Sequence, residues 1–513
     1  MDCRLWTARY KKNKQMKKYD IVVAGAGLGG LITAAILARE GYSVCVLEKS
    51  TQLGGAIQSF TRKNVIFDAG AHYIGGVEKG QNLDQILRFL NVREKLKLKK
   101  LDNDAYDKIS FLNQGEEYNH SQGFEGFRET LLEKLPSEKK AVDGYINTIT
   151  GVVNDFPLFM LRKSKYSMFN SKLQNVSIGK FFDTLTTNED LKNVLAGNNL
   201  LYAGQKYSTP LTVHGLIHYS YLESAYRFLG GTSQLANLLA DEVKANGGLI
   251  KINTEVKQFE IKNGNVENVI INNGEKIFGK HFISNMHPSS TFELIDENEV
   301  RKSYYKRIVK LENTISVFSL YGVFKKGMFP FHNSNHYIFR ENEVWGIDNY
   351  DKIPWPGMCM FLTQPVNNED NYARGFTTFA YMKFEEVEKW ENTTVDKRGN
   401  DYLQFKKEKA EKVLDLVEQK FPHIRKCIQD IYTSSPLTYR DYTGTVDGSL
   451  YGVVRDANHP MTNTVLPNTK IPNLMLAGQN ITMHGVMGVA MSALLVCSRF
   501  IGMDNLVDKI HRA

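Results

Sequence analysis

One hexapeptide constrains this chain more than any other stretch. Gly25-Ala26-Gly27-Leu28-Gly29-Gly30 lies between Tyr19–Ala24, which reads as a short buried strand, and Leu31–Arg39, which reads as a helix. In such a G-x-G-x-x-G each glycine has a task. Gly25 permits the tight turn, Gly27 lets backbone approach a pyrophosphate, and Gly30 lets the helix pack closely on the strand. The helix N-terminus then offers free N–H groups and a partial positive charge to the phosphates. A second strand, Ser43–Leu47, ends in Glu48, about twenty residues after Gly27. A carboxylate there accepts hydrogen bonds from ribose hydroxyls and repels a 2′-phosphate, so the site disfavours NADP.

The same region has a competing reading. Ile21–Ala38 carries no charge and follows the basic run Arg9–Lys18, as a signal peptide or membrane span would. Four glycines in its middle argue for the dinucleotide loop instead. Met16-Lys17-Lys18-Tyr19-Asp20 resembles a natural start, so residues 1–15 are expected to form a flexible extension. The mean hydropathy of −0.34 argues against a polytopic membrane protein.

The full chain has 513 residues, too many for one simple core, and a formal charge of +8. The excess is clustered at Arg9–Lys18 and Arg162–Lys165, with no nucleic-acid-binding signature beside it. Nucleic acid is therefore not an expected partner, and an anionic membrane surface is the better candidate. Cys3, Cys45, Cys359, Cys427 and Cys497 are scattered and form no C-x-x-C pair, which points to a reducing, cytoplasmic setting. No H-E-x-x-H or comparable cluster is present, and no metal is expected.

Three further stretches favour FAD over NAD. Gly54-Gly55 precedes Phe67-Asp68-Ala69-Gly70-Ala71-His72-Tyr73, where backbone can run close to phosphate and ribityl groups. Gly230-Gly231-Thr232 opens a helix over Leu235–Ala245 that leads to a strand with Val256 and on to Phe282–Asn285. Asn473–Asn480 reads as a strand running into a polar turn, and Gly485–Ala490 starts a helix continuing to about Phe500. A helix N-terminus aimed at the pyrimidine end of isoalloxazine stabilises negative charge there.

With these stretches, and with Gly448-Ser449-Leu450-Tyr451-Gly452 and Pro436–Tyr442, the chain resembles the phytoene desaturase-like flavoproteins, and among them the bacterial members of the retinol saturase branch. The resemblance implies an α/β fold: a glutathione-reductase-like, Rossmann-type FAD domain with an interleaved α+β substrate domain. It implies FAD contacts at Gly25, Gly27, Gly30, Glu48, Gly54, Gly55, Gly478, Gln479 and Asn480, completed by Leu28, Gly29, Lys49, Ala71, His72, Val256, Gly485 and Val486. Ala56 stands where carotenoid desaturases usually have arginine, and Asn480 where the retinol saturase pattern commonly shows aspartate.

The expected organisation is a FAD domain from 16–100, 225–290 and 435–513, with 101–224 and 291–434 forming the substrate and membrane-associating part. The first insertion reads as mostly helical. The second shows strand-like runs at Ile315–Val323, His336–Arg340, Met358–Thr363 and Phe376–Met382, then a helix at Tyr402–Lys420. Phe156–Tyr166 joins an apolar run to a basic cluster, as an interfacial element drawing lipid from a bilayer would.

The resemblance implies hydride transfer between flavin N5 and a hydrophobic polyene, with saturation of a retinoid as the leading reaction. Desaturation, cis–trans isomerisation and a flavin-bearing carrier without turnover are the alternatives. His72, Tyr73, Tyr451 and His484 are the candidate proton donors, because each lies inside a cofactor-proximal motif. Only one dinucleotide fingerprint is visible, and FAD fills it. Reducing equivalents therefore come from a transient NAD(P)H, a quinone or another protein.

Overall fold

A computed structural model describes residues 18–163, 172–347, 349–350, 353–364 and 371–513. Residues 1–17, with Cys3 and nearly all of the first basic run, lie outside the described residues, as do Ser164, Lys165 and Tyr166.

The first sheet is built around strand β13 (Lys276–Ser284), which pairs in parallel with β1 (Lys18–Ala24). β1 pairs in turn with β2 (Val44–Leu47), and β2 with β10 (Leu249–Lys251), all parallel. On its other edge β13 is shared. Its first residues pair with β12 (Asn265–Ile271) of an antiparallel meander with β11 (Val256–Lys262), and its last three pair with β19 (Leu474–Leu476). The register sets Leu47, Ala24, Ser284 and Leu476 side by side. Four parallel strands thus end level, with the glycine loop, Glu48, Asn285 and Ala477 just beyond them. Ligands bind in such a crevice outside the carboxyl ends of parallel strands.

The first helix, Leu28–Arg39, is buried from Leu28 to Ala38 and apolar on all sides. It is enclosed by β1 and by the helices Ser233–Ala245 and Gly485–Ile501, so it needs no polar face. Gly30 makes this possible: a Cβ there would fall onto the carbonyl oxygen of Gly25. Ile21–Ala38 is therefore the buried strand, loop and helix of a nucleotide-binding unit. Among the described residues no single helix is long and apolar enough to cross a membrane.

The second sheet runs in the order β18 (Ile428–Ser434), β14 (Ser316–Phe324), β17 (Gly375–Met382), β16 (Met358–Gln364), β15 (Asn335–Phe339), β7 (Asp107–Phe111), β8 (Glu116–His120). Its side chains sort with period two. Cys359 and Phe361 face a cluster under the helix Asn400–Lys420, while Met358, Met360 and Leu362 face the main core. The hairpin β7–β8 departs from the helical reading of 101–224. β7 pairs in parallel with β15, so the hairpin extends the second sheet and Ile109 and Phe111 join the main core. Helices do fill the rest, among them Lys139–Asn154 and Leu211–Glu223.

Smaller pairings join segments that are far apart in sequence. β5 (Tyr73–Gly75) pairs with β9 (Ala225–Phe228), which also pairs with β6 (Leu98–Lys100). The hairpin β3 (Ser59–Arg62) and β4 (Val65–Asp68) ends in Asp68, whose Oδ1 accepts from the Thr232 backbone N–H at 2.7 Å and from its hydroxyl at 2.9 Å. Burial pushes the Asp68 pKa up, and the bonds from Thr232 and Ser59 oppose that shift. The motifs at 67–73 and 230–232 are thus one joint. Phe156, Leu158, Phe159 and Leu161 are buried in the core rather than presented outward, so the apolar half of the expected interfacial element is internal packing. Cys45, Cys359, Cys427 and Cys497 are buried and form no disulfide among the described residues.

Gly30→Ala is expected to lower unfolding stability by about 1–3 kcal/mol, read from the urea midpoint, because the helix must move off the strand. Gly151→Ala, inside the helix Lys139–Asn154 with open space around its Cβ, is expected to hold or raise that midpoint.

Candidate functional site

At the level strand ends, Gly27 pairs with Gly54 in a parallel bridge, and the Gly54 N–H donates to the Ala26 carbonyl at 2.9 Å. The paired glycine Gly54-Gly55 therefore lies directly beside the first loop. Glu48 turns back over this loop: Oε2 accepts from the Ala26 N–H at 2.7 Å and Oε1 from the Ser50 N–H at 2.9 Å. Each oxygen keeps a lone pair for a ribose hydroxyl. The Thr254 N–H donates to the Glu48 carbonyl, which brings the buried Val256 to the same end. Lys49 is exposed and lies near Gly444.

Asn285 occupies the centre of the crevice. A Cβ on Gly27, Gly29 or Gly478 would meet its side-chain amide, and its Oδ1 is buried without a hydrogen-bond partner. The Gly478 N–H is held by the Ser492 hydroxyl at 3.0 Å. The first turns of Leu28–Arg39 and Gly485–Ile501 both lack acidic residues, so neither helix N-terminus opposes an anion. Loop, carboxylate, orphaned amide and two helix ends together fit a dinucleotide cofactor. Asn480 is turned elsewhere: its Oδ1 accepts from the Val453 N–H at 2.9 Å and holds the turn after Tyr451. Gln479 is half-buried beside it, Gly485 is exposed, and Val486 is buried.

The candidate proton donors fall into two groups. Tyr451 and His484 stack with ring centroids 4.2 Å apart. The Tyr451 hydroxyl donates to the Leu200 carbonyl at 2.8 Å, and His484 Nε2 donates to the next carbonyl, Leu201, at 3.0 Å. Burial pushes the His484 pKa down to about 3, so the ring is neutral at physiological pH, with its proton on Nε2. This pair fixes the entry to the last long helix.

His72 and Tyr73 form the second group. Burial, with the Arg227 charge adding to it, lowers the His72 pKa to about 3. The ring packs on Phe379 at 4.5 Å, and neither ring nitrogen has a protein partner. Ala71 is half-buried beside it. The Tyr73 hydroxyl lies 2.9 Å from Asp107 Oδ2 and 2.8 Å from the Tyr337 hydroxyl. Asp107 also accepts from Asn198 at 3.1 Å and Asn335 at 2.9 Å. Burial raises the Asp107 pKa to about 6, and the donors from Asn335, Asn198 and Tyr73 limit the rise. Among the described residues no group of three or more His, Cys, Asp or Glu side chains is placed to hold a metal ion.

A family model for flavin-containing amine oxidoreductases matches residues 28–501. The chain belongs to that family. Its cofactor is FAD, and it is an enzyme of the flavin oxidoreductase class. All-trans-retinol 13,14-reductase from Rattus norvegicus is 26% identical over 96% of this chain and 87% of that protein. Prolycopene isomerase 1 from an Oncidium hybrid cultivar is 23% identical over 97% of this chain and 86% of that protein. Among solved structures, putrescine oxidase superposes with a TM-score of 0.64 at 13% identity, covering 95% of this chain and 99% of that one. That likeness concerns the fold.

Asn285, Asp107 and Tyr337 were not among the expected site residues. Asn285 had a signal, a polar residue ending an apolar strand next to the glycine loop. Asp107 and Tyr337 had none, because only the pairing of β7 with β15 brings them together.

Asn285→Asp places a negative charge beside Gly27, Gly29 and Gly478, in the loops that would hold the cofactor's phosphates. It is expected to weaken flavin binding at least tenfold (~1.4 kcal/mol), with Asn285→Ala losing less. Titration of apoprotein followed by flavin fluorescence checks both.

Proposed function

We propose that this enzyme reduces a carbon–carbon double bond of a retinoid or a related isoprenoid polyene. The observation that carries the reading is similarity to retinol 13,14-reductases along 96% of the chain. When bound, FAD supplies the hydride at its N5. The FAD contacts are assigned to the set expected from sequence without the Asn480 side chain, which holds the turn after Tyr451, and with Asn285 added. The flavin domain is assigned to 16–100, 225–290 and 435–513, and the substrate domain to the two insertions. A lipid substrate of this kind enters from a membrane surface. NAD(P)H, a quinone and a partner protein are the candidate electron donors.

Reduction also needs a proton at the neighbouring carbon, and Tyr73 is assigned to deliver it, with Asp107 as its positioning residue. While Asp107 is ionised it accepts the Tyr73 hydroxyl proton. Once protonated, Asp107 can itself donate to the Tyr73 oxygen, which frees the tyrosine proton to be passed on. His484 and Tyr451 are assigned to the wall. Similarity to prolycopene isomerases supports a second reading, redox-neutral cis–trans isomerisation of the same class of molecule.

The deciding experiment is anaerobic. The holoenzyme is photoreduced and mixed with all-trans-retinol or all-trans-retinoate, and flavin absorbance is followed with product mass. Flavin reoxidation with two mass units gained is expected. An isomer of unchanged mass would establish the second reading. Flavin left reduced by both retinoids and by a carotenoid would overturn the substrate class.

Turnover is expected to rise as pH falls through about 6, the value to which burial lifts Asp107. Asp107→Asn should flatten that limb and lower the rate about a hundredfold, and Tyr73→Phe should lower it similarly with FAD retained. An unchanged pH profile in Asp107→Asn would remove the pair from the reaction.

A further inference from the structure

Two cavities lie against Arg455, and His484 lines one of them. One, of about 350 Å³, is lined by polar and charged groups including Tyr202, Lys383, Glu385, Asp447, Arg455 and His484. The other, of about 70 Å³, is a small and mainly apolar arm lined by Phe156, Phe159, Leu216, Met483 and Met491, with Asp456 and Gln174 also in its wall. Val213 and Arg455 line both, so the Arg455 side chain stands in a wall of each.

Arg455 is an unusual residue to find at such a junction. Nη1 donates to the Asn463 carbonyl at 3.2 Å and Nη2 to the Asn480 carbonyl at 2.7 Å. Those bonds use two of its five N–H donors and neutralise no charge. Among the described residues no carboxylate pairs with it, and enclosure by protein lowers its pKa to about 10. The neighbouring Asp456 is directed to His459 and Asn458. Asp447 and Glu385 act on each other, since the Glu385 charge raises the Asp447 pKa after burial itself. The group that senses the Arg455 charge is His484, which is neutral. A cation held among carbonyls and apolar side chains, with open space beside it, is stabilised by an anion that fills the space.

We propose that this double cavity binds an amphipathic lipid by its carboxylate, with Arg455 taking the carboxylate and the apolar arm taking part of the chain. The arrangement gives each part of such a molecule a matching wall. A planar carboxylate can take two N–H donors from a guanidinium already fixed by two carbonyls. A hydroxyl end would leave the charge unmatched. This rests on the polyene reading in that the ligand is the reducible molecule, and it narrows that molecule to one ending in an acid.

The test compares two ligands that differ only at the polar end, all-trans-retinoate and all-trans-retinol, bound to oxidised holoenzyme and followed by protein fluorescence quenching. Retinoate is expected to bind at least tenfold more tightly than retinol. Arg455→Gln should abolish that preference while leaving retinol binding unchanged, and Arg455→Lys should restore part of it. The preference is a ratio within one protein, so a variant that is merely loosened loses both ligands together and keeps the ratio, which counts against the proposal. Equal affinity for the two ligands in the parent enzyme overturns it. So does an Arg455→Gln enzyme that keeps the preference while its flavin reduction potential falls, because the arginine would then face the cofactor. Binding needs no turnover, so a retinoate preference without flavin reoxidation would leave the Arg455 site standing and remove the reductase reading alone.

Discussion

Four strand ends must converge on one line with almost no side-chain bulk between them, and the rest of the structure follows from that requirement. Leu47, Ala24, Ser284 and Leu476 are neighbours in register, and the residues just beyond them are Glu48, Gly25, Asn285 and Ala477. Steric exclusion fixes the glycines. At Gly27, Gly29 and Gly478 the space a methyl would take belongs to the Asn285 amide, and at Gly30 it belongs to the Gly25 carbonyl. Backbone N–H groups and two helix ends are then the main polar features left facing the crevice, which is an environment for phosphate. The Asp68 to Thr232 bonds and the β5–β9 pairing fasten residues 59–75 and 225–232 to each other beside this crevice.

The electrostatics of the interior point the same way. His72 and His484 are both driven neutral by burial, and Tyr73 and Tyr451 are both held in their protonated forms. A site for an apolar polyene gains from such neutrality, because fixed charge there would need water that the substrate excludes. Beside these groups Asp107 is the exception, and three donors compensate it, Asn198, Asn335 and Tyr73, with Tyr337 bonded to Tyr73 behind them.

Much of this was legible before any coordinates. The glycine loop, Glu48, the paired glycine and the terminal turn are local signals, since each needs a specific residue type for a reason of backbone geometry or charge. The strands of the second sheet were legible too, because runs such as Met358–Thr363 are short, nearly continuous apolar stretches, as strands buried on both faces are. What escaped were features that exist only between distant segments. Asp107-Lys108-Ile109-Ser110-Phe111 has no strong strand pattern of its own, and it becomes a strand because β15 lies beside it. Phe156–Leu161 looked like a membrane-seeking stretch because composition cannot distinguish apolar residues that face lipid from those that face a core.

The division of β13 between two partners has a consequence for how the molecule is made. Its last three residues wait for β19, which lies some 450 residues after the end of β1 in the chain. A growing chain can form β1, the glycine loop, the first helix and β2 early, but the crevice stays open along one edge until nearly everything has been synthesised. Such long-range pairing is slow and leaves an unsatisfied strand edge and apolar surface exposed meanwhile. The first helix, buried along its whole length, also depends on the final helix Gly485–Ile501 for cover. Cofactor capture is thus a late event in biogenesis, and a bound flavin reports that the two ends of the polypeptide have met.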